Sequence, residues 1–235
     1  MKSVYLFLAA LLLLGCSPQA APQESVRIAI SPAAYPAAQA VMACLPADDS
    51  VAAVIDSVHA SQIDYSEYDF YIHLGRNTSA EFAALIATEH IVLVVNPAQG
   101  LSSFSALQAA DLLSGRVRDW AQLGGRAETV LLFIPPDSDE ALQAFRSNVV
   151  RGAFSSQAFV GTVPSAVLEN VAANTSAAGI LPAAWADDSV DIFDYKVSLP
   201  VLALAAQAPQ GAARSVLGCL QGPTGQAVLA ESYAP

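Results

Sequence analysis

The sequence predicts an α/β fold in which strands and helices alternate along the chain and pack as layers. Short β-branched runs such as Val26–Ile30, and the apolar run His90–Val95, are typical of strands buried in a sheet. Alanine- and leucine-rich stretches with helical spacing, such as residues 105–114, lie between these runs. Such alternation is characteristic of sheets that are covered by helices.

The N-terminus resembles a bacterial lipoprotein export signal. Residues 1–16 contain Lys2, an apolar run and a final Leu-Leu-Gly-Cys that ends at Cys16. The apolar run is too short to span a membrane, and a basic start with a small residue before the cysteine is typical of a cleaved leader. We expect Cys16 to carry a lipid anchor, the alternative being an ordinary secretory leader. The polar residues 17–25 are predicted to be a tether.

The first third of the mature chain is predicted to hold three strands and two helices. Pro36 suits the first turn of a helix, and Gly75 ends a strand before a polar turn. In chain order the predicted elements are strand 26–30, helix 35–45, strand 50–58, strand 68–74 and helix 79–87.

The rest of the chain continues the alternation of strands and helices. Asp137, Ser138 and Asp139 are each suited to cap the helix that follows a buried strand. The predicted elements are strand 90–97, helix 105–114, strand 129–134, helix 139–150, a partly helical stretch 154–170, strand entry 174–181, strand 199–206, and helices 212–220 and 224–230.

Charge and composition exclude several classes of function. Acidic residues outnumber basic ones by 21 to 10, and the basic residues form no cluster. Nucleic-acid binding is therefore not expected, because neutralising phosphates needs clustered cations. His59, His73 and His90 show no metal-ligand spacing and are interpreted as structural imidazoles. No nucleophile elbow or phosphate-binding loop occurs, so we expect no catalysis, metal or cofactor.

Four segments of the chain together form a recognisable pattern. The longest runs from Val94-Val95-Asn96-Pro97 through residues 107–125, which end in Gly-x-x-x-x-Trp-x-x-x-Gly-Gly. The others are residues 174–181, 199–203 and 219–227. In this order the four segments resemble periplasmic phosphate-binding proteins and their relatives. The first third of the chain matches only in its strand–loop–helix outline.

This resemblance implies a two-lobed, type II periplasmic-binding fold, in which each lobe is a sheet flanked by helices and a ligand lies in the cleft. Residues 26–96 with 191–235 would form lobe I, and residues 97–190 would form lobe II. Asn96 would lie near the first crossing between the lobes. The resemblance further implies an exported, membrane-anchored protein that faces the periplasm or the cell exterior. It would capture a small ligand, an oxyanion such as phosphate, for an ABC-type permease.

Loops at the carboxyl ends of predicted strands are candidate ligand contacts, because ligands of doubly wound sheets bind there. The first loop offers Ser31 and Tyr35. The second offers Arg76, Asn77 and Thr78, whose charge and hydroxyl suit an anion. The alternative for this second loop is that it caps the next helix while Arg76 stays in solvent.

The third candidate loop, Asp137–Ala141, departs from the family pattern. Phosphate-binding proteins carry Ser-Gly-Thr at this helix start, and their serine would fall on Ser138 or Asp139 of this chain. The carboxylates of this loop would repel phosphate. Either Ser138 alone faces the cleft or the ligand is not phosphate. A sensor or scaffolding lipoprotein of the same fold therefore remains an alternative, followed by an exported hydrolase.

Cys44 and Cys219 are the cysteines left after removal of the leader. An exported protein meets an oxidising environment, so the two could form a disulfide. The alternative is a pair of buried thiols that pack as small apolar groups.

Overall fold

The computed structural model describes residues 24–76 and 79–233. The predicted leader, its lipid-attachment residue Cys16 and most of the predicted tether lie outside the described residues, and so do Asn77 and Thr78. No helix in the described ranges is long and apolar enough to cross a membrane.

Strands and helices alternate through the described ranges. The strands are β1 (Glu24–Ile30), β2 (Val51–Ser57), β3 (Phe70–Leu74), β4 (Phe82–Val95), β5 (Leu131–Ile134), β6 (Phe159–Val160), β7 (Ala177–Pro182) and β8 (Asp191–Ala205). The α-helices are α1 (Ala38–Ala43), α2 (Ala106–Leu113), α3 (Glu140–Phe145), α4 (Pro164–Ala173), α5 (Gly211–Gln221) and α6 (Pro223–Leu229). A 3-10 helix, Pro32–Ala37, leads into α1, and a π-helical turn, Arg146–Val150, continues α3.

These strands form one sheet in the order β2-β1-β3-β8-β4-β7-β5-β6. The long strands β4 and β8 pair antiparallel with each other over most of their length. The start of β4 and the end of β8 extend the β2-β1-β3 half of the sheet, whereas the end of β4 and the start of β8 extend the β7-β5-β6 half. From here on, lobe I and lobe II mean these two halves with their helices, so that the boundary lies within β4 near residue 89 and within β8 near residue 199. The predicted α/β fold of sheets flanked by helices is confirmed.

The two halves of the sheet meet in the middle of β4 and β8. There Thr88, Glu89 and His90 pair with residues 198–200. The pairing register is irregular on both sides of this segment. Such irregularities bend and twist strands locally.

The predicted helix at residues 79–87 is wrong, because β4 already begins at Phe82. Phe82 pairs with Ala205 and Ala83 with Leu204 of β8. Burial alternates along the first residues of β4, as it does in a strand with one covered face. Pairing with β8, more than a hundred residues away, satisfies this backbone and overrides the local preference of an alanine-rich segment for helix.

The sheet is covered on both faces by apolar side chains. The largest cluster of buried residues runs through both lobes on one face and contains Trp120 and Phe145. On the opposite face lobe II has a separate cluster around Val92 and Val167, and lobe I has one around Tyr71. Both halves of the sheet are therefore packed on both faces, and the loops at their strand ends start from strands of this packed sheet.

The sulfur atoms of Cys44 and Cys219 form a disulfide. Cys44 directly follows α1 and Cys219 lies in α5. The bond therefore ties an early helix of lobe I to a helix near the end of the chain.

Candidate functional site

A cavity of about 170 Å³ lies between the two lobes at the carboxyl ends of strands from both. Lobe I contributes the residues that follow β1 and the end of β3, while lobe II contributes the start of α3 and the loop before α4. Ligands of open α/β sheets bind at this end of the strands. The residues that line it are Ser31, Pro32, Ala33, His59, Ala60, Ser61, His73, Leu74, Pro136, Ser138, Asp139, Glu140, Ala141, Thr162 and Pro164.

Two polar side chains of lobe I stand out in this cavity because they are buried without a partner. Ser31 is 5% exposed and His73 is 8% exposed. Within the described residues, Ser31 Oγ and His73 Nδ1 make no hydrogen bond of ordinary length and angle, although the Ser31 hydroxyl interacts with that of Tyr71. Leaving a buried polar atom unpaired costs about 1 to 3 kcal/mol, so such atoms beside a cavity are typical of groups that a ligand or water satisfies.

His73 is held in place by its strand and by a neighbouring ring. It lies in β3, where every residue is buried. Alternate residues of a strand share a face, and the imidazole stacks on the ring of Tyr71 with the ring centroids 5.5 Å apart. Burial lowers the pKa of His73, and the negative charge of Glu140 partly offsets that effect. The neutral imidazole is therefore the favoured form near pH 7.

Two acidic residues of lobe II line the opposite wall. Asp139 caps α3, because its Oδ1 accepts hydrogen bonds from the N–H groups of Ala141 at 2.8 Å and Leu142 at 3.4 Å. Burial raises the pKa of Asp139, although these two hydrogen bonds oppose the shift. At the start of α3, the N–H groups of Ala141 and Leu142 are thus occupied by the helix's own cap.

Glu140 reaches from lobe II across to lobe I. Its Oε2 accepts a hydrogen bond of 3.2 Å from the backbone N–H of Arg76. The same carboxylate lies against Gly75, where an added Cβ would be 2.5 Å from Oε2. Gly75 has a φ of +118°, which side chains other than glycine rarely adopt. This glycine therefore permits both the turn and the close approach of the carboxylate between the lobes.

A second direct contact joins the lobes beside the cavity. Trp185, in a 3-10 turn between β7 and β8, donates from its indole Nε1 to the carbonyl of Ala33 at 3.0 Å. Ala33 itself lines the cavity. The lobes are thus held together around the cavity by a tryptophan and a glutamate.

The structure places the predicted ligand residues as follows. Ser31 and Ser138 line the cavity, Ser31 from lobe I and Ser138 from lobe II. Tyr35 is 41% exposed and is not among the lining residues. Arg76 is exposed and approaches the site through its backbone N–H. Asn77 and Thr78 lie outside the described residues.

Sequence reasoning missed several residues of the cavity wall. His73 and His59 were interpreted as structural imidazoles, yet both line it, and so do Ser61 and Thr162. A signal for His73 was present, because a polar ring near the carboxyl end of an otherwise apolar strand is expensive to bury without a purpose. No sequence motif marks the other three residues, His59, Ser61 and Thr162. They reach the cavity because they follow β2 and β6, whose direction is set by pairing within the sheet.

The cavity offers hydroxyls, imidazoles and carboxylates. No lysine or arginine lines it among the residues that the structure describes. Nor do the described residues contain a group of three or more His, Cys, Asp or Glu side chains placed to hold a metal ion. The wall can therefore donate hydrogen bonds from hydroxyls and imidazole, and accept them at carboxylates.

A larger groove of about 550 Å³ lies elsewhere, between the start of β4 and helices α5 and α6. Its wall is mostly aliphatic, with Leu85, Ile86 and Leu229 among its residues. Its amide side chains are already engaged, since Gln221 and Gln226 donate to carbonyls of β4. The smaller interlobe cavity is the better candidate site, because Ser31 and His73 in its wall have buried polar atoms without a hydrogen-bond partner, whereas none of the described groove residues has one.

A family model described as a PBP superfamily domain matches residues 17–216. No curated protein sequence matches the chain.

Solved structures share the fold at low sequence identity. A candidate phosphate ABC transporter substrate-binding protein from Clostridium perfringens, with bound phosphate, superposes with a TM-score of 0.80 at 19% identity, covering 89% of this chain and 98% of that one. An ABC-type phosphate transport receptor from Vibrio cholerae gives a TM-score of 0.62 at 18% identity, covering 87% and 98%. The regulatory domain of OxyR2 from Vibrio vulnificus, in reduced form, gives 0.63 at 9% identity, covering 91% and 100%.

Proposed function

The chain belongs to the PBP superfamily, and from that premise we propose that it captures a small oxyanion such as phosphate between its lobes. The observation that carries the proposal is the interlobe cavity with the unpaired Ser31 Oγ and His73 Nδ1 in its wall. A cavity of about 170 Å³ suits an ion or a very small molecule, since pockets for drug-sized ligands are about 300 to 1,000 Å³. The phosphate bound to the Clostridium perfringens relative supports the same ligand class.

Hydroxyls from both lobes would share the ligand. Ser31 comes from lobe I, and Ser138 and Thr162 come from lobe II. A ligand held by both lobes favours the closed arrangement over the open one, because its contacts are complete only there. The crossing segment of β4 and β8 would act as the hinge.

The carboxylates of the wall select among oxyanions. Glu140 can accept a hydrogen bond from a ligand that carries its own O–H, as hydrogen phosphate does. Sulfate has no proton at neutral pH and would meet only repulsion from this carboxylate. We therefore expect phosphate to bind more tightly than sulfate, and Glu140→Gln to narrow that preference.

The delivery route is also part of the proposal. The leader that ends at Cys16 supports export and lipid attachment at the membrane. A closed, ligand-loaded protein anchored in this way would meet an ABC-type permease. Incorporation of labelled palmitate into the full chain, and its loss in Cys16→Ser, tests the anchor; equal labelling of both proteins would contradict it.

Calorimetry tests the capture of a ligand directly. The full chain, purified in mild detergent, is titrated with phosphate, sulfate, molybdate and tungstate. We expect one phosphate per chain and a loss of at least tenfold in affinity in Ser138→Ala, whereas the exposed Ser215→Ala, on α5, should bind as the wild type does. Absence of heat with every oxyanion would exclude this function.

A second candidate is a sensor or scaffolding lipoprotein of the same fold. The contact between Glu140 and the Gly75–Arg76 backbone favours it, because a side chain of the protein itself already joins the lobes there. In that case the four oxyanions would give no heat, and the lobes would stay closed without a ligand.

A further inference from the structure

Ser31 and His73 lie side by side near the carboxyl ends of the neighbouring strands β1 and β3. The parallel strands β1 and β3 pair Ile30 with Ile72, and the backbone N–H of Ser31 donates to the carbonyl of Ile72 at 2.8 Å. The next residue on each strand is then Ser31 on one and His73 on the other. Both side chains are more than nine-tenths buried, and both line the interlobe cavity.

Among the described residues of the wall, Glu140 is the carboxylate whose charge acts on His73, and no lysine or arginine faces it. Glu140 faces it from α3, and Asp139 and His59 line the same cavity. On its own strand the imidazole stacks on Tyr71. On β8 its backbone neighbour is Leu202, which does not ionise.

An anion placed in this cavity would change the ionisation of His73. Without a ligand, burial disfavours the imidazolium form. A negative charge within hydrogen-bond distance favours that form, by the same physics that pairs histidine with carboxylates. Because no lysine or arginine lines the cavity in the described part of the chain, an imidazolium is the cation that this wall can supply, and of its imidazoles His73 is buried whereas His59 is exposed.

We propose that Ser31 and His73 form the lobe I half of the ligand site, and that His73 takes up one proton from solvent when an oxyanion binds. The inference rests on the proposed function and names how the same site is regulated. The proton is added to the unpaired Nδ1, which then donates to a ligand oxygen while Ser31 Oγ donates to another. When the ligand leaves, the proton returns to solvent.

Proton uptake makes capture stronger in mildly acidic surroundings. By linkage, affinity rises as pH falls, by up to about tenfold per pH unit, in the range between the pKa of free His73 and its higher value in the complex. Below that range the imidazole is charged in both states and the gain levels off. An exported protein meets the pH of the cell exterior, so its ligand capture would follow that pH.

Calorimetry of phosphate binding in two buffers with different ionisation heats counts the protons taken up. The measurement is made at pH 6 and pH 8 on the full chain in mild detergent. The variants are His73→Gln and Ser31→Ala, with His90→Gln as the matched control, since His90 pairs with Asp194 away from the cavity. Phosphate titrates in the same range, but its own contribution cancels between proteins.

We expect the wild type and His90→Gln to take up more protons per phosphate than His73→Gln does at one or both pH values, by at most one proton. We also expect His73→Gln to lose at least tenfold in affinity at pH 6, and Ser31→Ala to lose affinity equally at both pH values. Equal proton uptake in all proteins, with phosphate still bound, would overturn this inference and leave the proposed function intact. Absence of phosphate binding by the wild type would overturn both.

An NMR titration of the wild type covers the case in which a variant does not fold. The imidazole resonances of His73 are followed against pH with and without phosphate. Phosphate should move the titration midpoint of His73 to higher pH by at least one unit, whereas the resonances of His90 should be the same with and without phosphate. An unchanged midpoint for His73 in the phosphate complex would overturn the inference.

Discussion

Glu89 is a carboxyl group buried where the two lobes meet, and its replacement by glutamine should stabilise the protein at neutral pH. The residue is 1% exposed. Its Oε1 accepts the backbone N–H of His90 at 2.8 Å, and Oε2 has no hydrogen-bond partner in the described residues. Burial raises the pKa of Glu89 from its ordinary 4.5 to about 8, although backbone N–H groups of His90, Ala184 and Ala183 oppose this shift.

The size of the stability loss that ionisation of Glu89 causes follows from proton linkage. The unfolded chain releases the Glu89 proton near pH 4.5, whereas the folded protein keeps it until about pH 8. The contribution of protonated Glu89 to the free energy of unfolding is therefore fully present below pH 4.5. It is lost as the pH rises through about 8. Each unit of pKa shift corresponds to about 1.4 kcal/mol, so the full loss is roughly 5 kcal/mol, of which about 3 kcal/mol has occurred at pH 7.

Urea unfolding from pH 5 to pH 8.5 measures the effect. Glu89→Gln keeps the size and the hydrogen-bonding oxygen but does not ionise. The variant should therefore gain stability relative to the wild type by up to about 1.4 kcal/mol per pH unit across this range. Glu169→Gln, at an exposed position of α4, should show no such trend. A difference between Glu89→Gln and wild type that stays constant with pH would refute the reasoning.

Three further perturbations test other contacts by urea unfolding. Replacing Cys44 and Cys219 by alanine removes a cross-link between residues 175 apart; chain entropy predicts a loss of about 5 kcal/mol, and an unchanged midpoint would contradict it. Trp185→Phe removes the hydrogen bond to Ala33 and should lower the free energy of unfolding by about 1 kcal/mol. A variant as stable as the wild type would contradict this. Asp139→Ala should cost about 1 kcal/mol through loss of the α3 cap, while Asp139→Asn should largely keep it; equal losses would exclude the capping explanation.

Strands with a continuous apolar run could be predicted from the sequence, whereas strands that depend on a distant partner could not. The run after His90 is buried on both faces, and it forms the second half of β4 as predicted. Residues 82–87 have an alanine-rich composition that suits a helix. They become strand because β8 pairs with them from more than a hundred residues away. No local pattern contains that information.

The candidate site shows the same division. Ser31 could be placed at the cavity because it directly follows a clear strand, and strand ends are where ligands bind in such folds. The sequence predicts that the loop at Arg76 contacts an anion. In the structure its backbone N–H donates to Glu140, which lies 64 residues later in the chain and belongs to the other lobe. That contact follows from the packing of two lobes, which neither segment reveals alone.

A crystal structure of the full chain grown with phosphate tests the central claim most directly. We expect one tetrahedral anion between the lobes, hydrogen-bonded to Ser31 and His73 on one side and to Ser138 or Thr162 on the other. The crystals are grown at a phosphate concentration that saturates binding in the calorimetric titration. A closed cleft that contains only the protein's own side chains would contradict the proposed capture of phosphate.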